Sequence, residues 1–135
     1  MSEQNVELTR RAFEYAEQHG GVPDWDLMAP DVVIVNLPDA PWQPSPGIKG
    51  MREWIAFAED VAEEFVMEVD EIEDLGEDLV LVSGRLRMKF RATGLEQEAA
   101  IVQLCSIVDG KLKRLEAHYT REQALEAAGL SDSGD

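Results

Sequence analysis

Cysteine, histidine and basic side chains are all scarce in this 135-residue sequence. The one cysteine, Cys105, excludes an internal disulfide framework and any cysteine-based zinc site. Two histidines, His19 and His118, are too few for a histidine-rich centre, so no metal is expected, and nothing points to a cofactor. Lysine and arginine number 12 against 28 acidic residues, a formal charge of −16. Such a surface repels phosphates and anionic headgroups, and no basic cluster with interleaved aromatics is present. Neither nucleic acid nor a membrane is therefore an expected partner. No apolar run approaches the roughly 20 residues that span a bilayer, and residues 1–18 lack a basic segment followed by an apolar one. A soluble cytoplasmic protein is the expectation.

What the chain does have is 44% hydrophobic residues. At this length roughly two-thirds of the unfolded surface is buried on folding, enough for a core without staples. One domain over residues 1–130 is expected, with 131–135 as a frayed tail. The periodicity changes once, from helical before residue 65 to extended after it, which reads as α+β. Residues 5–19 form a first amphipathic helix, stopped by Gly20 and Gly21. A short helical turn from Trp25 to Ala29 precedes a strand over Val32–Leu37, and prolines 38, 41, 44 and 46 stiffen the loop that follows. After Gly50, residues Met51, Trp54, Ile55, Ala58, Val61, Ala62 and Phe65 recur at steps of three and four, the pattern of a helix with one buried face. Strands are expected over 66–73, 79–92, 97–108 and 111–119, the last two joined by the hairpin dipeptide Asp109-Gly110. Thr120 and Gln123 form a capping box for a final helix ending at Gly129-Leu130.

This order of elements resembles the nuclear-transport-factor-2-like superfamily, in particular its SnoaL-like and ketosteroid-isomerase-like branch. The resemblance covers nearly the whole chain. It is carried by Phe13-Glu14-Tyr15 to Gly20-Gly21, Met28-Ala29-Pro30-Asp31-Val32, Ile48-Lys49-Gly50-Met51-Arg52-Glu53, Asp109-Gly110-Lys111-Leu112, and Arg114-Leu115-Glu116 to Thr120-Arg121-Glu122-Gln123-Ala124-Leu125. It implies a conical barrel, a curved antiparallel sheet wrapped around N-terminal helices and an internal pocket, and a homodimer through the outer sheet face. It does not fix an activity, since similar folds carry isomerases, cyclases, hydrolases and binders.

Alternation on the 79–92 strand places Val80, Val82, Gly84, Leu86, Met88 and Phe90 on the concave face, and Arg85, Arg87, Lys89 and Arg91 outside. This outer row is either a solvated face or, as the resemblance to dimeric proteins implies, pairs with acids of a second subunit. Ala99, Ile101, Gln103 and Cys105 continue the inner wall, followed by Leu115, Ala117 and Tyr119. Trp25, Trp54 and Phe57 close it from the helices, with Trp42 at the mouth. An apolar pocket with few polar groups suits a small hydrophobic ligand.

The acids that similar enzymes use are missing. Where limonene-epoxide-hydrolase-like relatives carry an Arg-x-Asp pair and a second Asp, this chain has Gly84, Leu86 and Ala117. Where ketosteroid isomerases carry a Tyr, a base Asp and a protonated Asp, it has Phe13, Asn36 or Leu37, and Gln103 or a close neighbour. Asn36 and Gln103 are left as a convergent polar pair, which either orients a carbonyl, hydroxyl or water or bonds neighbouring backbone. His118 and Tyr119 complete the candidate catalytic set, although alternation puts His118 with Arg114 and Glu116 on the outer face. Asp39 reads as a turn residue and Cys105 as a packed apolar one. Two functions stand: an isomerase, cyclase or hydratase acting on a small hydrophobic metabolite, and a non-catalytic binding or accessory protein.

Overall fold

The computed structural model describes residues 2–37, 40 and 43–130. The expectations for Asp39, Trp42 and the tail 131–135 lie outside the described residues. Helix α1 spans Ser2–Gln18. It stops where Gly20 and Gly21 take positive φ of 67° and 96°, and the Gly21 N–H returns to the Ala16 carbonyl at 2.7 Å. A single 3-10 turn, Trp25–Leu27, is capped by the Asp24 carboxylate accepting from the Asp26 N–H. The chain then passes straight into β1, Met28–Val35, four residues earlier than the β-branched run alone suggested.

Helix α2, Gly47–Val61, begins before Gly50, and β2, Ala62–Gly76, follows it with no intervening turn. Strands β3 (Leu79–Phe90), β4 (Glu96–Val108) and β5 (Lys111–His118) and helix α3 (Arg121–Ala127) follow. Thr120 caps α3 as expected, with the Gln123 N–H donating to Thr120 Oγ1 at 3.1 Å, while the Gln123 side chain accepts from the N–H of Tyr119, one residue before the cap. Among the described residues no helix is long and apolar enough to cross a membrane.

The five strands form one sheet in the order β1-β5-β4-β3-β2. The architecture is α+β as expected, with a sheet that is not closed and that is mixed rather than wholly antiparallel, because β1 pairs with β5 in parallel. Its curvature has a visible source in β2. That strand has 15 residues against the 12 of its partner β3, and three register shifts, between Ala62 and Glu64, Val69 and Glu71, and Asp74 and Gly76, absorb the surplus. Each bulge bends its strand and increases its twist. At the central one Gly84 faces β2 so closely that a Cβ there would lie 2.0 Å from the Glu68 carbonyl oxygen. The bend depends on a residue with no side chain.

The bulged residues also set the charges of the outer face. Asp70, extra at the central bulge, accepts two hydrogen bonds from Arg85, and Glu63, extra at the first, lies 3.5 Å from Lys89. Arg87 bonds Glu64 and Glu68, and Arg91 donates to the Glu59 carbonyl. The basic row on β3 thus meets acids of its own chain. Such pairs are screened by solvent and contribute little to stability.

The core lies between the inner sheet face and the helices, with Leu8 and Ala12 of α1 and Met51 of α2 against Val32, Val80, Val82, Cys105, Ile107, Leu112 and Leu115. A smaller cluster on the outer face puts Ala124 of α3 against Leu81, Val102 and Leu104.

Candidate functional site

The helices do not fill the concave side of the sheet. They leave a cavity of about 370 Å³, near the lower end of the range for small-molecule sites. Helix α1 contributes Ala12, Phe13 and Ala16, and α2 contributes Met51, Trp54 and Ile55. From the sheet come Met28 and Ile34 of β1, Phe65 and Met67 of β2, Leu86 and Met88 of β3, Ile101 and Gln103 of β4, and Leu112, Leu115 and Ala117 of β5. Asn36, Leu37, Ala40 and Tyr119 lie towards the strand ends, and the exposure of Tyr119, Ala99 and Ala100 opens the cavity there. None of these described lining residues carries a formal charge.

Alternation along β3 accounts for Leu86 and Met88, and the same reasoning places Ile101, Gln103, Ala117 and Tyr119 correctly. Asn36 and Trp54 reach the cavity too. Other residues expected on the inner wall do not line it: Val80, Val82 and Cys105 are core residues, and Gly84 lies against β2. Trp25 packs at the edge of the core under the Arg52 guanidinium, 4.3 Å from the ring centroid. Phe57 sits one step round α2 and is 42% exposed, with its ring 5.7 Å from that of Trp54. Phe90 pairs with Ala62 at the far end of β3, where α2 runs into β2, beyond the cavity wall.

His118, a candidate for the catalytic set, lies outside the cavity, on the side that alternation indicated. It lies on the outer face opposite Val102, with Nε2 2.6 Å from Glu116 Oε2, while Arg114 donates twice to the other oxygen of Glu116. Burial alone raises the pKa of Glu116, but the hydrogen bonds from Arg114 and His118 outweigh it and hold the carboxyl below its usual range. This imidazole faces away from the cavity and serves a charge cluster.

Cys105 is wholly buried, and desolvation pushes its thiol pKa up to about 12. Burial thus disfavours the thiolate that a nucleophilic role needs. Among the described residues no group of three metal-ligating side chains comes together.

The polar side chains of the wall are Asn36, Gln103 and Tyr119, apart from the Trp54 indole. Asn36 is held by the loop after β1, where its N–H donates to Gln43 Oε1 at 2.9 Å and the Gln43 amide reaches back to the Leu37 carbonyl at 3.4 Å. Gln103 stands between Ile101 and Cys105, opposite Val82 and Ala117. Its side-chain oxygen is buried and accepts no hydrogen bond from any described group.

Sequence reasoning passed over Phe65, Met67 and Met51 as pocket residues. Phe65 continues the three-and-four spacing of α2, so helical periodicity claims it although the helix ends at Val61. The alternation of Phe65 and Met67 is the signal that identifies both.

No protein-family model matches the sequence, and no curated protein does. Solved structures do. An NTF2-like protein of unknown function from Burkholderia pseudomallei K96243 superposes with a TM-score of 0.72 at 20% identity, over 96% of this chain and 98% of that one. TerC, co-crystallised with polyporic acid, gives 0.72 at 21% identity, over 91% and 96% of the two chains. A putative SnoaL-like polyketide cyclase from Jannaschia sp. CCS1 gives 0.67 at 22% identity, over 94% and 92%. The fold is the NTF2-like one, shared with SnoaL-like proteins.

Proposed function

We propose that this NTF2-like chain is a SnoaL-like protein that binds a small, mostly apolar molecule in the cavity between α1, α2 and the concave sheet face. The observation that carries this reading is a formed cavity of about 370 Å³ with no charged group among its described lining residues. Burial of apolar ligand surface supplies the affinity, and the few polar side chains orient the ligand. The same lining favours binding without general acid–base turnover. An isomerase, cyclase or hydratase acting on a small hydrophobic metabolite is the second reading. It is supported by Tyr119, a phenol at the open end of the cavity, and by the likeness to a protein described as a putative polyketide cyclase. We also place the protein in the cytoplasm, which fractionation of cells expressing a tagged chain tests.

The binding test is direct. A neutral apolar fluorescent probe, N-phenyl-1-naphthylamine, is expected to bind, and Met88→Arg or Leu86→Arg to abolish binding. Both positions face the cavity beside other apolar groups, and an unpaired guanidinium forced into such a wall costs several kcal/mol unless it reaches water. Circular dichroism confirms that each variant is folded. Unchanged probe affinity in folded variants rejects the assignment.

A homodimer through the outer sheet face is part of the proposal. Arg85, Arg87, Lys89 and Arg114 bring four of the chain's 12 cations to that face and pair there with acids. Two copies of net charge −16 repel least where local charge is neutralised. Light scattering at micromolar concentration and physiological salt is expected to give the mass of two chains, and the mass of one overturns the proposal.

A further inference from the structure

The carbonyl oxygen of the Gln103 side chain is the one buried, unsatisfied side-chain acceptor among the described residues. Across the strands it faces Val82 and Ala117, neither of which has a side-chain donor, and its neighbours along the inner face are Ile101 and Cys105. The Cys105 thiol is directed at the backbone carbonyl of Gln103, 3.9 Å away, not at the amide. A water molecule there would need two to four polar partners to be well held, and this wall is almost entirely apolar. A buried acceptor without a donor carries an unrecovered desolvation cost. A ligand hydroxyl recovers it. The rest of the ligand is specified by the remaining wall. Met28, Met51, Met67 and Met88 lie with Phe13 and Phe65 around the cavity, and thioethers and aromatic rings pack well against a flat aromatic skeleton.

We infer that the ligand of this cavity carries a hydroxyl on a flat apolar ring system, and that this hydroxyl donates to Oε1 of Gln103, which makes Gln103 the residue that selects hydroxylated ligands. The inference rests on the cavity being a site for small apolar molecules and adds the polarity of the one contact that discriminates among them. A ligand carbonyl does not satisfy the same atom, because two acceptors cannot bond each other.

Three probes of similar size separate the possibilities: 2-naphthol, 2-methylnaphthalene, which lacks any polar group, and 2-naphthaldehyde, which only accepts. Each is titrated against the parent chain and against Gln103→Leu, with Gln103→Met as a second, straight-chain replacement. The preference for 2-naphthol over 2-methylnaphthalene is expected to fall about tenfold in both variants, the equivalent of one neutral hydrogen bond. The fall must appear in the affinity for 2-naphthol itself, because 2-methylnaphthalene is expected to bind the variants as well as the parent or better once an unsatisfied oxygen is replaced by apolar carbon, and circular dichroism shows that each variant is folded. If 2-methylnaphthalene binds the parent but the preference is the same in parent and variants, the Gln103 inference is wrong and the cavity reading survives. A loss of affinity confined to 2-naphthaldehyde shows the amide acting as donor and overturns the inference too. Failure of all three probes to bind the parent chain removes the cavity reading and the inference with it.

Discussion

Gly84→Ala is expected to destabilise the protein by about 3 kcal/mol or more, at the upper end of what overpacking costs. The added Cβ would sit 2.0 Å from the Glu68 carbonyl oxygen and 3.1 Å from the Val69 Cα. Both are backbone atoms, so no rotamer change relieves the clash, and β2 and β3 must separate where the central bulge bends the sheet. The Arg85–Asp70 pair, which depends on that bulge, is disturbed as well. Urea denaturation checks this. The midpoint should drop strongly with little change in slope, since the surface exposed on unfolding is nearly the same. A midpoint within 0.5 M or so of the parent would mean that β2 shifts without cost and that the bend is not pinned at Gly84.

The second large effect belongs to Leu112. It is fully buried, pairs with Met28 across β1 and β5, and also forms part of the cavity wall. Leu112→Ala should cost about 2–5 kcal/mol, the usual range for truncating a core leucine. Because the lost side chain borders an existing cavity, the vacated space joins it. The expected signature is therefore double: a lower melting temperature together with tighter binding of a bulkier apolar probe, such as pyrene relative to naphthalene. A variant that is destabilised but does not change its preference between the two would show that the wall collapses inward instead of enlarging the site.

How far the sequence was legible depends on whether a residue's role is local. Leu86 and Met88 were legible because strict alternation over β3 leaves a strand only one way to face its core. The cap of α3 was legible because its two residues interact across a single turn. Phe90 obeys the same alternation as Met88 and still misses the cavity, because it lies at the end of β3 against Ala62, and alternation does not tell where a pocket ends. Trp25 and Phe57 show the complementary difficulty. Aromatic residues are expected inside, but Arg52 covers one ring and the other sits on the edge of the helix stripe. The bulges in β2 left no mark in composition or period, although Gly84 and the acids opposite the basic row depend on them. Of the candidate site, Asn36, Gln103, Tyr119 and the part of the apolar wall made by Trp54, Leu86, Met88, Ala99, Ile101, Leu115 and Ala117 were readable, whereas Phe13, Ile34, Met51, Phe65, Met67 and Leu112 were not, because their place depends on how helices and strands pack. His118 fell on the side that its neighbours Arg114 and Glu116 indicated.

The parallel pairing of β1 with β5 bears on the order in which the molecule assembles. The other strand pairs join neighbours in the chain, but the ion pair between Asp31 of β1 and Lys113 of β5 links residues 82 positions apart. Contacts between such distant segments must meet the entropy of closing a long loop before they return any stabilisation. The β2–β5 meander can form progressively from one hairpin to the next, whereas β1 has to be brought to an edge that already exists. Until it docks, Leu115 and Leu112 of β5 lack their neighbours Ile34 and Met28, and the concave face stands open along that side. Refolding of this chain should thus be paced by capture of its amino-terminal segment, and in stopped-flow refolding the binding of a cavity probe is expected to be the last signal to recover.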